Sequence, residues 1–243
     1  MPLSARGAWS DHANLSLLPY LSRAPRATQG RLAIRAISGY PPRALMAPAR
    51  LTLLADERFA PLLPALEESL AAAAESITPE NFMSLLDDTM RHVIQLAFRQ
   101  AESDDGTIWL VDGAKEALVP GYNTGPDAER ILKFRQPLSA GLVSMVFGNE
   151  RPFLENEVPK NAKQDRTLDK QLGKQTLAMV IVPFYFLGAC RGVISCVKMG
   201  VPGETPPETQ RFAESAQVFL VHGATVLGRL LDLRLLRSTM GLR

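Results

Sequence analysis

The chain has 243 residues, 46% of them hydrophobic and 21% charged, an ordinary globular balance with room for one full core and an appendage. The net charge of +2 is uneven: seven Arg, no Lys and one acid (Asp11) fall in residues 1–50, which leaves a mildly acidic body that gives no reason to expect nucleic-acid binding. No apolar run approaches the roughly 20 residues that cross a bilayer.

Residues 1–45 are rich in Arg, Ala, Pro and Ser. Three readings stay open: a disordered basic arm, an upstream extension before Met46, or a targeting peptide. Residues 1–50 are taken as a basic, low-order extension and 51–76 as a helical lead-in. In the lead-in, Phe59, Leu62, Leu63, Leu66, Leu70 and Ala74 recur at three- and four-residue steps, and Pro61 and Pro64 belong near a first turn. The spacing predicts a helix over 62–75. Thr78 can cap a second helix with Pro79 at its first position, and Phe82, Leu85, Leu86, Val93 and Leu96 carry an apolar face to about Gln100. His92 reads as a surface or helix-packing residue.

Asp104-Asp105-Gly106 is a turn signal, followed by a strand over 107–112, a second turn at Asp112-Gly113 and a strand over 116–122. Alternation at Leu132, Phe134 and Gln136 predicts a third strand over 131–138. Gly141 to Gly148 reads as a short helix with Val143, Val146 and Phe147 facing in, and Arg151-Pro152-Phe153-Leu154 as a short strand. Residues 158–176 carry five basic and two acidic side chains and little apolar content. They form a loop or weak helix, and a connection that long is either a lid or a solvated surface segment.

The strongest signal runs from Leu177 to Gly200. Ala178, Val180, Val182, Phe184 and Phe186 share one strand face, and Leu177, Met179, Ile181, Pro183 and Tyr185 the other. A strand apolar on both faces is covered on both. Gly188 marks a turn into a second strand. Cys190 and Cys196 lie about 20 Å apart if both are in that strand, too far for a disulfide. They read as free thiols in a reducing, cytoplasmic compartment. A long helix is expected from about Pro207, with Phe212, Phe219, Val226 and Leu230 on one stripe and Leu227 on a second beside it. With Gly223, Ala224 and Gly228 allowing close approach, these five apolar residues are the expected homodimer interface.

The segment Leu138-Ser139-Ala140-Gly141-Leu142-Val143, the run Gly148 to Phe153 ending in Glu155-Asn156-Glu157, and the hairpin VIVPFYFLGACRGVISCVKMG together resemble a GAF domain over about residues 77–233. The resemblance implies an α+β fold: an antiparallel sheet of about six strands, long N- and C-terminal helices on one face, and a pocket of loops and short helices on the other. The GAF-like domain is drawn at 77–237. Members of that family bind cyclic nucleotides, tetrapyrroles, amino acids or haem, or bind nothing and dimerise. The cyclic-nucleotide motif set, the chromophore-attaching Cys-His pair and the three-cysteine pattern of free methionine sulfoxide reductases are not matched here.

His12, His92 and His222 are isolated, and no phosphate-binding loop, nucleophile elbow or metal-ligand spacing is present. The expectation is a non-enzymatic sensor or signalling-regulatory domain, with no metal site and a cofactor the sequence does not name. A small ligand would lie near Trp109, Tyr122, Phe134, Phe147, Asn156, Thr176 and Phe184, with aromatic walls and orienting hydrogen bonds from Asn156 and Thr176. The alternatives are a pocketless scaffold for dimerisation or partner docking, its cavity filled by Phe147, Phe153 and Phe184, and, behind both, an enzyme.

Overall fold

The structure is a computed structural model that describes residues 57–203 and 210–241; the readings made for residues 1–50 lie outside them. A 3-10 turn over Glu57–Leu62 leads into α1 (Leu63–Glu75), with proline in its first turn. The α1 stripe is only half covered: Leu63, Leu66 and Leu70 are partly buried and Ala74 alone is fully so.

The expected continuous helix to Gln100 is two helices, α2 (Pro79–Leu85) and α3 (Asp88–Gln100). Asp87 causes the break. Its carboxylate accepts the Met90 N–H at 2.9 Å and so caps a new helix, while Leu86 turns extended. At the start of α2, the Asn81 side chain accepts the Thr78 N–H at 2.9 Å in a capping box.

Next come β1 (Asp105–Val111) and β2 (Ala117–Asn123). The third strand expected over 131–138 is largely absent. Residues Ala128–Ile131 form the short helix α4, and β3 is only Gln136–Pro137. Ile131 and Phe134 are buried without a ladder, from a helical turn and the loop after it. Helix α5 (Leu142–Asn149) and strand β4 (Phe153–Glu155) follow. The 158–176 connection holds a 3-10 turn at Val158–Lys160 and α6 (Thr167–Leu172). Strands β5 (Gln175–Phe186) and β6 (Ala189–Gly200) are joined by Leu187 and Gly188, both at positive φ, 47° and 76°. That pair is the two-residue turn whose twist suits a hairpin. Helix α7 spans Glu214–Thr239, so it starts later than expected and Phe212 precedes it.

All strand pairs are antiparallel, in the order β3-β2-β1-β6-β5-β4. The long hairpin thus spans from the sheet's centre, where β6 meets β1, to the short edge strand β4. One face of β5, with Ala178, Val180, Val182, Phe184 and Phe186, meets α2, α3 and α7 in the larger core. Phe82, Ile94, Leu220, Leu227 and Leu231 are sealed there, each contributing about 1.5–3 kcal/mol by leaving water. The opposite face, with Trp109, Met179, Ile181 and Val193, meets α5 and the Val158 turn in a second, smaller core.

Gly223 and Gly228 serve packing within this chain. A Cβ at Gly223 would lie 2.4 Å from the Ala97 Cβ of α3, and one at Gly228 would lie 2.2 Å from the Tyr185 carbonyl of β5. These small residues let α7 seat against both layers.

Candidate functional site

Alternation along β1 turns Asp105, Thr107 and Trp109 to the face away from the long helices, while Ile108 and Leu110 enter the larger core. On β6, Ser195, Val197 and Met199 point the same way as Trp109, and Thr176 and Met179 join from β5. These residues floor a cavity of about 300 Å³. Its roof is α4, the start of α5, and the 158–176 segment that carries α6. The volume is at the lower end of ordinary small-molecule sites.

The floor is held in place by hydrogen bonds. The Trp109 indole N–H donates to the Ser195 hydroxyl at 2.9 Å. The Asn123 amide donates to Asp105 at 2.9 Å and to the Thr107 hydroxyl at 2.8 Å. Burial pushes the Asp105 carboxyl above the ordinary range, against the pull of the Gly106 and Gly125 N–H groups and the Asn123 amide. A Cβ at Gly125 would fall 2.1 Å from the Asp105 carboxylate, so the loop after β2 closes directly over it.

Side chains fasten the parts of the roof to one another and to the sheet. Thr176 donates its N–H and its hydroxyl to the Asp169 carboxylate of α6, at 2.9 and 2.8 Å. The Gln136 amide donates to Asp165 at 3.0 Å and to the Ala140 carbonyl at 2.9 Å. Lys174 donates to Asp127 at 2.6 Å, and Arg130 to the Gln171 carbonyl. The Thr167 hydroxyl holds Asp165 below the ordinary carboxylate range against the effect of burial, with the Thr167 N–H and Gln136 adding to it. The Lys174 ammonium does the same for Asp127.

Of the residues expected around a ligand, Trp109 and Thr176 line the cavity. Phe134 stands behind Trp109, edge to face at 6.4 Å between ring centroids, and Phe147 is half-buried against the smaller core. Tyr122 and Phe184 are on the wrong face. Tyr122 pairs with Ile108 and Phe184 follows Val180 and Val182, so both enter the larger core beside the long helices. Asn156 is a clamp on the chain. Its amide donates to the Phe212 carbonyl at 3.0 Å and its oxygen accepts the Phe212 N–H at 2.7 Å, fixing the approach to α7. Phe147, Phe153 and Phe184 are not among the cavity's lining residues, so they do not fill it.

The sequence reading missed the cavity's carboxylates. Asp104 and Asp105 read as turn residues, and Asp165 and Asp169 are not singled out in a segment that reads as either a lid or a solvated surface stretch, yet all four line the cavity. One signal was available: Asp105 shares the two-residue phase of Thr107 and Trp109.

The cysteines lie elsewhere. Cys196 is sealed in the larger core, where burial pushes its thiol up to about 12, and burial pushes Cys190, near the hairpin turn, up to about 11. Neither lines the cavity. Among the described residues, no group of three or more His, Cys, Asp and Glu is placed to hold a metal ion. Among them, too, no helix is long and apolar enough to cross a membrane.

The six-stranded antiparallel sheet, the layer of long helices on one face and the roofed cavity on the other define a GAF-like α+β domain. No protein-family model matches the sequence, and no curated protein matches it. Solved structures similar to it include the GAF domain of a phosphoenolpyruvate-protein phosphotransferase from Coxiella burnetii, at 17% identity and a TM-score of 0.48, covering 74% of this chain and 97% of that one. The corresponding Acinetobacter domain is 18% identical with a TM-score of 0.46, covering 71% of this chain and 93% of that one. A free methionine-R-sulfoxide reductase from Neisseria meningitidis, solved with its substrate, is 18% identical with a TM-score of 0.43, covering 74% of this chain and 89% of that one.

Proposed function

We propose that this chain is a cytoplasmic, non-enzymatic sensor or signalling-regulatory domain of the GAF type. A small ligand occupies the cavity over Trp109 and Thr176, and two copies associate through the outer face of α7. The observation that carries the reading is the cavity itself: about 300 Å³, floored by the sheet and roofed by a segment tied down through four separate side-chain contacts. A ligand that touches both floor and roof can alter how the roof sits, and a change of that kind is what a regulatory domain transmits. Two features support a non-enzymatic role. The buried, high-pKa thiols are poor nucleophiles, and the cavity lining contains no Cys and no His.

Association rests on a different observation. Phe219, Val226 and Leu233 recur every seven residues along α7, Met240 continues the series just past its end, and they are 37, 43, 55 and 45% exposed. Of the five interface residues expected from the sequence, Phe212 and Leu227 are buried inside this chain and Leu230 is half-buried. The interface is therefore reassigned to the exposed stripe.

A native mass spectrum of the full chain, purified gently from its own host, tests both parts. The expected result is a dimer that carries a small adduct. A dimer of bare mass that also binds no small molecule in a solution screen would overturn the sensor reading and leave a dimerising scaffold.

A further inference from the structure

We infer that the cavity over Trp109 takes a small organic cation, an ammonium group on a short apolar or aromatic body; this rests on the reading of the cavity as a ligand site. The lining carries five aspartates, Asp104, Asp105, Asp127, Asp165 and Asp169, against one cation, Lys174. Lys174 is already engaged with Asp127 at 2.6 Å. The other four carboxylates are met by neutral donors: Asp104 by the Met199 N–H, Asp105 by Asn123, Asp165 by Gln136 and Thr167, and Asp169 by Thr176. Neutral donors satisfy lone pairs without cancelling charge; Lys174 also acts on Asp105 and Lys170 on Asp165, but the five carboxylates outnumber these cations, so the lining favours a cation over an anion.

The roof segment is largely sorted by sign. Both its acids, Asp165 and Asp169, line the cavity, while four of its five bases, Lys160, Lys163, Arg166 and Lys170, are exposed and do not; the fifth, Lys174, lines it. Asp105 is the deepest of the acids, only 9% exposed, and it stands on the strand face that also presents Trp109. The carboxylates do not converge as a metal site among the described residues, which argues for an organic cation over a divalent one. The remaining lining, with Trp109, Ile131, Leu168, Met179 and Val197, suits an apolar body. Anionic ligands such as nucleotides would place phosphate against the aspartates.

The test titrates three probes of similar shape into the full chain: phenethylammonium, phenethyl alcohol and hydrocinnamate. The indole N–H resonance of Trp109 reports occupancy. The expected order is ammonium about ten-fold or more tighter than alcohol, with hydrocinnamate weakest, as a charge-assisted hydrogen bond requires. Asp105→Asn, and independently Asp169→Asn, should bring the ammonium toward the alcohol's affinity, each variant first checked for a native-like spectrum. Alcohol or hydrocinnamate binding as well as the ammonium overturns the cation assignment and leaves the cavity reading standing. Ammonium affinity unchanged in both variants also overturns it. If none of the three moves the Trp109 signal at millimolar concentration, the ligand-site reading falls and this inference falls with it.

Discussion

Asp232 on α7 accepts the backbone N–H of Leu187 at 2.6 Å, pinning the turn between β5 and β6 to the long helix. Burial pushes its carboxyl above the ordinary range, and the Leu187 N–H pulls the other way without winning. A carboxyl whose folded-state pKa is raised contributes stability below its unfolded pKa and loses it as pH rises through the folded value. Asp232→Asn keeps an oxygen for Leu187 and cannot ionise. The variant should therefore gain stability relative to the wild type as pH rises from below the carboxylate range to neutrality. Urea unfolding midpoints of both proteins at acid and neutral pH measure this. A gap that stays constant across that range would mean that Asp232 titrates as it does in the unfolded chain.

The long helix is held so close to the sheet that its two glycines cannot be enlarged without moving it. Gly228→Ala would set a methyl 2.2 Å from the Tyr185 carbonyl, backbone that cannot swing aside as a side chain can. We expect a loss of about 1–3 kcal/mol, read as a lower thermal or urea midpoint. Gly148→Ala in α5 is the control, because a Cβ there meets nothing within 4 Å and φ is not positive. It should be neutral or stabilise by about 0.4–1 kcal/mol through helix propensity and a less flexible unfolded chain. At this scale the hairpin was legible because the first strand is a long run rich in β-branched and aromatic residues, the second follows it, and Gly188 marks the turn between them. Where the signal was short, it misled. The 131–138 run alternates, but Ile131 and Phe134 are buried from a helical turn and the loop after it, since three-residue spacing also puts side chains on one side. Asp87 gives no sign of the helix break in the sequence, because a capping carboxylate in mid-pattern differs from a solvated one only by its geometry. The side of the sheet that carries the cavity was not legible at all. Both faces of β5 are apolar, so nothing local separates Phe184, which meets the long helices, from Met179, which meets the cavity.

The described residues present two faces with different amounts of cover. The cavity face is closed by its roof, whereas the helix face ends in α1 and α7, whose outer surfaces expose several apolar side chains among charged ones. Leu62 stands 60% exposed at the start of α1, and the α1 leucines are only half covered by α7. The exposed stripe of Phe219, Val226 and Leu233 on α7, continued by Met240 at its end, follows a seven-residue period. A seven-residue period returns apolar side chains to one side of a helix every two turns, which is half of the pattern of a seam between helices. A helix that packed only on its own sheet would carry polar residues there. The most economical cover for such a stripe is the same stripe of a second copy, since a two-fold axis beside α7 brings like residues together. Replacing Phe219 and Val226 together with Glu should convert a dimer to a monomer by light scattering while the circular dichroism spectrum stays native, because neither side chain belongs to the sealed core. The matched change Leu227→Glu should unfold the chain instead, since Leu227 is fully buried against the sheet and cannot host a charge. A folded double variant that remains dimeric would move the interface off α7.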